Sequence, residues 1–286
     1  MRGFRSRAVL ALCGVFAVGA IGAGCGSDDD ESTSGGGTTG GGTSADVTTL
    51  EEGVLSVGTD TPFPPFEIGQ PPDVSGYDIE VMDAIAEHLG LEVEYTDTGF
   101  GTIFRDTANG QFDTAAAAST ITPARQKTVN FTDPYYEAQQ ALLVSEGSDI
   151  TSTSDLSGLI VGAQDGTTGE TFANDETDAS EVRGFPEGPN AVSALSTGQV
   201  DAVIIDQPVA ADAVEKTGGV EIAEEIQTDE LYGFAVAPDN TSLLDGMNEA
   251  LVTIKEDGTL ADLYEKYFST EPPETVLSGT TEALAG

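Results

Sequence analysis

The chain has 286 residues, enough for about two domains at roughly 150 residues each. Its 38% hydrophobic content, with 12 Phe and 7 Tyr, suffices for a packed core and excludes wholesale disorder. Against 50 acidic residues stand 10 Lys and Arg, a formal charge of −40; a field of that sign repels nucleic acid and anionic lipid and excludes nucleic-acid binding as a function. The carboxylates run along the whole chain instead of gathering in a tail, which fits a strongly solvated surface of the kind that suits high salt.

Residues 1–24 combine a basic start (Arg2, Arg5, Arg7) with an apolar stretch from Ala8 to Ala23 and read as a signal peptide. Its interspersed glycines make it shorter and weaker than a membrane-spanning helix. Gly22-Ala23-Gly24 precedes Cys25, small residues as a lipoprotein signal peptidase requires, although Gly22 stands where such sites usually carry Leu. The expectation is a lipidated Cys25, which leaves the mature chain one cysteine and no internal disulfide. Residues 26–46 hold seven Gly, eight Ser/Thr, five acids and Ala45. With so little to bury they form a flexible tether, of about 25 Å root-mean-square span.

Strand and helix patterns then alternate. Leu55–Gly58 is a short apolar strand. In 78–89 the residues Ile79, Met82, Ile85, Ala86 and Leu89 share one helical face, and Gly90 stops the helix. Val93–Thr96 reads as a strand, Thr102–Asn109 as a helix, and Phe112–Ala118 as a buried strand of small residues. Short strands follow at Val129–Phe131, Ala141–Ser145 and Leu159–Ala163, with a helix near 168–174. A helix over Asn190–Thr197 leads into the apolar strand Val200–Ile205, which ends at Asp206. A strand at 231–237, helices at Leu243–Asp257 and Leu260–Phe268, and a loose tail over 271–286 complete the pattern. Such alternation predicts α/β layers with parallel sheets and helices on both faces. Ligands then collect at the carboxyl ends of strands, which singles out Asp60, Thr120, Gln164 and Asp206.

The sole histidine, His88, lies off the apolar stripe of its helix and reads as solvated. No Cys/His metal cluster and no Ser-His-Asp set can form around it. GTTG at 166–169 lacks the spacing and lysine of a nucleotide loop. Hydrolytic and redox enzymes therefore fit poorly, and a binding protein fits well.

Four stretches carry a resemblance: GTDTPFPPFE at 58–67 with GYDIEVMDAIAEHLG at 76–90, TITPARQKTVNFTDPYY at 120–136, VGAQDGTTGE at 161–170, and GQVDAVIIDQP at 198–208. In that order and spacing the chain resembles the amino-acid-binding solute-binding proteins of ABC importers, family 3, over about residues 47–270. The resemblance implies a two-lobed α/β fold of the type II periplasmic-binding-protein kind. Lobe 1 would span 47–134 plus 233–270 and lobe 2 would span 140–227, joined by hinge strands near Tyr135–Gln139 and Thr228–Tyr232. It implies no cofactor and no metal. It also implies a monomer that delivers its ligand to a membrane permease, on the outer face of the cytoplasmic membrane if Cys25 is lipidated.

A free amino acid presents a carboxylate and an ammonium, both costly to desolvate unless paired. Arg125 suits the carboxylate, since a guanidinium donates two parallel bonds to it, and Thr120 offers a hydroxyl and an N–H nearby. Asp206 suits the ammonium; its bland alternative is a helix cap before Pro208. In the family the backbone carbonyl at Ala118 also accepts from the ammonium, and Thr168 resembles the second donor to the carboxylate, its alternative being an N-cap. Asp60, Phe63 and Phe100 match positions that face the ligand side chain, with Gln164 at the same end. Phe63 and Phe100 could equally be core aromatics, and Asp60 a turn cap. Glutamine-binding members carry Lys and His at the positions of Gln164 and Ile205. This chain has neither, so the expected ligand is polar: glutamine, asparagine, arginine, lysine or histidine. Two other classes share the fold: secreted dehydratases of carboxylated rings, for which Glu67 or Asp60 would be the acid, and sensor domains of surface receptors.

Overall fold

The computed structural model describes residues 47–281; the expected signal peptide, Cys25 and the tether lie outside the described residues. The first sheet contains β1 (Val54–Thr59), β4 (Glu92–Asp97), β5 (Thr114–Ala115), β6 (Asn130–Phe131) and β12 (Ala235–Val236), in the order β4-β1-β5-β12-β6. A small hairpin, β2 (Ile68–Gln70) and β3 (Asp73–Ser75), lies beside it in sequence. The second sheet contains β7 (Tyr136–Ser145), β8 (Ile160–Gln164), β9 (Glu181–Phe185), β10 (Ala202–Asp206) and β11 (Val220–Tyr232), in the order β11-β7-β10-β8-β9. Two lobes of α/β layers result.

Helix α1 (Tyr77–Leu89) forms where the apolar spacing places it, burying Ile79, Val81, Met82, Ile85, Ala86 and Leu89, and Gly90 closes it in the left-handed conformation. The other helices with the first sheet are α2 (Phe100–Ala108), α6 (Thr241–Glu256) and α7 (Thr259–Phe268). The Asn240 side chain caps α6 by accepting from the Leu243 N–H at 3.2 Å. The second lobe carries α3 (Thr168–Glu176), α4 (Gly188–Ser196) and α5 (Gln207–Thr217). His88 is exposed on α1.

Neither sheet is purely parallel, which corrects the expectation. β7 runs antiparallel to β10 and β11, and β12 antiparallel to β5 and β6. β10 ends at Asp206 opposite Gln140, near the start of β7. A strand that enters the lobe at the end where β10 stops must run against it.

Two expected strands are broken. Of Phe112–Ala118 only Thr114 and Ala115 pair as a strand. Ala118 takes a φ of 42° and gives its N–H to Asp78 Oδ2 at 2.8 Å, which bends the chain out of the sheet. The segment 231–237 divides at Gly233, whose N–H donates to the Ser119 carbonyl at 3.1 Å. A Cβ there would lie 2.9 Å from the Thr132 carbonyl oxygen, so the close approach needs glycine. The expected loose tail is docked as far as residue 281: α8 (Glu274–Leu277) buries Val276 completely, and the Thr281 N–H donates to Asp133 Oδ1 at 2.8 Å.

An aromatic cluster joins the lobes. Tyr135 and Phe234 stack at 4.0 Å between centroids, and Phe66 meets Tyr136 and Tyr232 edge-on at 5.0 and 5.5 Å. Tyr77 donates its hydroxyl to the Tyr135 carbonyl at 2.8 Å, and Tyr135 donates its own to Asp78 Oδ2 at 2.7 Å.

Behind that cluster Glu67 and Asp78 are fully buried. Both Glu67 oxygens and Asp78 Oδ1 lack a donor among the described residues. Burial and the Asp78 charge hold the Glu67 carboxyl well above the usual range, and burial pushes Asp78 up to about 6. A neutral Glu67 donating to Asp78 satisfies both groups. Carboxyls raised above their unfolded values stabilise the fold at low pH and lose that contribution as pH rises through the folded values. Urea midpoints of the wild type are therefore expected to climb as pH falls from 8 to 5, and to climb less in Glu67→Gln, whose amide donates without titrating. Equal slopes for the two proteins would contradict the shared-proton pair.

Candidate functional site

All nine residues expected at the ligand site line one cavity between the lobes: Asp60, Phe63, Phe100, Ala118, Thr120, Arg125, Gln164, Thr168 and Asp206, joined by Ala117 and Thr167. In this arrangement about 10 Å³ of it is open to the centre of a water-sized sphere, room for about one water molecule.

Arg125 opens a short 3-10 turn, Arg125–Lys127, and its N–H is capped by Thr122 Oγ1 at 3.2 Å. The guanidinium donates from Nη1 to the Thr120 carbonyl at 2.7 Å and from Nη2 to the Gly166 carbonyl of the other lobe at 3.1 Å. The rings of Phe100 and Phe104 lie 5.0 and 4.8 Å from Cζ, within cation–π range. Phe100 thus lines the cavity and also supports the arginine. Desolvation lowers the guanidinium to about 10, which leaves it charged at neutral pH.

Asp60 follows β1 at its carboxyl end and Gln164 ends β8; Gln164 Nε2 donates to Asp60 Oδ2 at 2.6 Å across the lobes. Burial lifts Asp60 to about 6. Neither threonine nor aspartate takes its bland alternative. Thr167, not Thr168, caps α3 by accepting from the Glu170 N–H at 3.1 Å. Asp206 holds the N-cap position of α5 but makes no side-chain cap bond. Its Oδ1 accepts from the Tyr232 hydroxyl and from Gln140 Nε2, the latter at 3.1 Å. Burial, followed by repulsion from Glu230, raises Asp206 to about 7.

Thr168 reaches inward because Gly169 lets α3 approach the sheet. A Cβ there would stand 2.9 Å from Gln140 Oε1 and 3.2 Å from the Ile204 carbonyl oxygen. The Thr168 hydroxyl donates to Glu230 Oε2 at 2.7 Å, and the Thr120 hydroxyl donates to the same oxygen at 2.5 Å. Sequence reasoning missed Glu230, Gln140 and Tyr232. A signal for them existed in the alternation of the strands: Tyr136, Ala138 and Gln140 point inward on β7, as do Glu230 and Tyr232 on β11. A polar side chain at an inward position needs a polar partner.

A model of the bacterial extracellular solute-binding proteins, family 3, matches residues 55–270. The chain belongs to that family. It is 30% identical over 220 residues to ABC transporter arginine-binding protein 1 of Escherichia coli strain K12, covering 75% of this chain and 90% of the relative. It is 30% identical over 269 residues to the ABC transporter glutamine-binding protein GlnH of Bacillus subtilis strain 168, covering 93% and 98%. An ancestral arginine-binding protein solved with glutamine superposes with a TM-score of 0.73 at 39% identity, over 77% of this chain and all of that one. These relatives are binding proteins, two of them named for transport. Among the described residues no helix is long and apolar enough to cross a membrane.

Because the Tyr232 hydroxyl stabilises ionised Asp206, its removal in Tyr232→Phe is expected to move the Asp206 carboxyl titration upward from about 7. Carboxyl-carbon NMR reads this directly, and an unchanged or lower midpoint would refute the assignment.

Proposed function

We propose that this family-3 protein is the extracytoplasmic receptor of an ABC importer, closing its two lobes on a polar or basic L-amino acid and presenting it to a membrane permease. The observation that carries the reading is one cavity lined by a charged guanidinium, Arg125, from the first lobe and a buried carboxylate, Asp206, from the second. Arg125 takes the ligand carboxylate, aided by the backbone N–H groups of Thr120 and Thr168, whose hydroxyls are held by Glu230. Asp206 takes the ammonium together with the Ala118 carbonyl. Asp60 and Gln164 meet the polar end of the side chain, and Phe63 and Phe100 flank it. With Asp60 and Asp206 lining the cavity beside a single guanidinium, and Glu230 near that guanidinium too, a ligand of net positive charge compensates the cleft better than a neutral one, which ranks arginine and lysine first. Each end of the zwitterion draws partners from both lobes, so binding favours closure by the difference in contacts. The receptor is a monomer held to the outer face of the membrane through a lipid on Cys25.

Calorimetry against the twenty amino acids tests the reading; no heat from any of them would end it. Arg125→Ala is expected to weaken binding by about 2–5 kcal/mol, since the carboxylate is left desolvated and unpaired; an unchanged affinity would remove this arginine from the site. Affinity also depends on pH. A ligand ammonium favours ionised Asp206, whose carboxyl otherwise titrates near 7. Binding therefore weakens as pH falls from 8 to 6, and that dependence flattens in Asp206→Asn. A pH profile common to both proteins would place the ammonium elsewhere.

A further inference from the structure

Glu230 lies on β11 directly after a break in its pairing with β7, between Ile226 and Glu230. There Gln139 Oε1 accepts from the Thr228 and Asp229 N–H groups at 2.6 and 3.2 Å. The Glu230 side chain is only 8% exposed, and among the described residues no cation lies within salt-bridge reach of it. Three neutral donors surround it instead: the Thr120 hydroxyl from the first lobe, the Thr168 hydroxyl from the second, and Gln140 Nε2 at 3.1 Å from the connecting strand β7. Hydrogen bonds to a carboxylate are short and about twice as strong as neutral ones. Thr120 lies in the first-lobe loop between β5 and β6, where it bridges to Tyr232 of β11, and Thr168 opens α3 on the second lobe, so parting the lobes breaks at least one of these bonds. A contact made only in the closed arrangement stabilises that arrangement and no other.

We propose that Glu230 is a positioning residue, a built-in anion that ties Thr120 of one lobe to Thr168 of the other and sets how much of the protein is closed before a ligand binds. This rests on the clamp reading above and adds to it. With both hydroxyls committed to Glu230, the ligand carboxylate falls to Arg125 and to N–H groups at the start of α3, which lack intrahelical partners. Glu230 thereby holds the cleft in its binding geometry and leaves the guanidinium as the main contact that ligand adds.

The test begins without ligand. Small-angle scattering of the protein alone should show a larger radius of gyration for Glu230→Gln than for the wild type. The isosteric amide is neutral and keeps one accepting oxygen, so it either turns that oxygen to the hydroxyls, holds them more weakly and sets its NH2 against Gln140 Nε2, or turns it to Gln140 and drops them. An unchanged urea midpoint certifies the variant's fold. Saturating L-arginine should restore the wild-type profile. The apparent affinity for L-arginine should fall about tenfold, as a smaller closed fraction requires. Thr168→Val should open the protein similarly, and adding Glu230→Gln to it should do little more, because both variants cut the same link. Identical unliganded profiles for wild type and Glu230→Gln sink the latch, as do fully additive effects in the double variant. Absence of any amino-acid binding would overturn the receptor reading while leaving the unliganded comparison to decide on Glu230 separately.

Discussion

Arg125 must stay charged in a place where charge is costly, and the layout of the cleft follows from how that is arranged. Its guanidinium is desolvated, yet among the described residues no carboxylate comes within salt-bridge distance of it. Two backbone carbonyls and two aromatic faces hold it instead. These supports orient the cation without neutralising it, so it retains an attraction for an anion. Asp206 and Asp60 stand in the mirror situation, each buried and each supported by neutral donors. A cleft under-compensated in both signs is complementary to a zwitterion, because the ligand supplies at each end the charge that the protein withholds.

The surface charge and the buried charge serve different ends. Most of the 50 acidic side chains are spread along the chain and need no partner in water. The buried ones are few and are each accommodated by a particular device. Burial raises both Glu67 and Asp78, Asp78 fixes the bend at Ala118, and past that bend Ala118 and Thr120 line the cavity. An acid pair in the lobe interior therefore shapes the ligand-facing loop while carrying one negative charge fewer than two free carboxylates.

Much of this was legible in the sequence. Helix α1 followed from the spacing of Ile79, Met82, Ile85 and Leu89, and the cavity residues followed from the family motifs together with the tendency of sites to form past strand ends. What stayed hidden depended on tertiary contacts. The strand expected over 112–118 is cut short because Ala118 prefers Asp78 to a sheet neighbour, a choice that no local propensity encodes. Strand β9, with Arg183 and exposed positions, carries too little apolar pattern to stand out, and it is made by parallel pairing with β8. Glu230 is one of several acids over 221–230, set apart only by its alternation with Tyr232 on β11, and its role shows once that strand places it opposite two hydroxyls and an amide.

The junction between the lobes has two layers with different responses to motion. The aromatic layer around Tyr135 and Phe234 packs at contact distance and is tied by hydrogen bonds to α1 and Asp78, so it deforms only at the cost of core packing. The polar layer of Gln140, Glu230, Asp206 and Tyr232 joins hydroxyls that the two lobes carry separately, and each such bond can be exchanged for water. Opening is therefore expected to pivot on the aromatic layer and to be resisted by the polar one. Because the same polar layer also sets the protonation of Asp206, the position of the lobes and the charge offered to a ligand ammonium are physically coupled: separating the lobes hydrates the carboxylate, and closing them restores the desolvation that makes it hold a proton near neutrality.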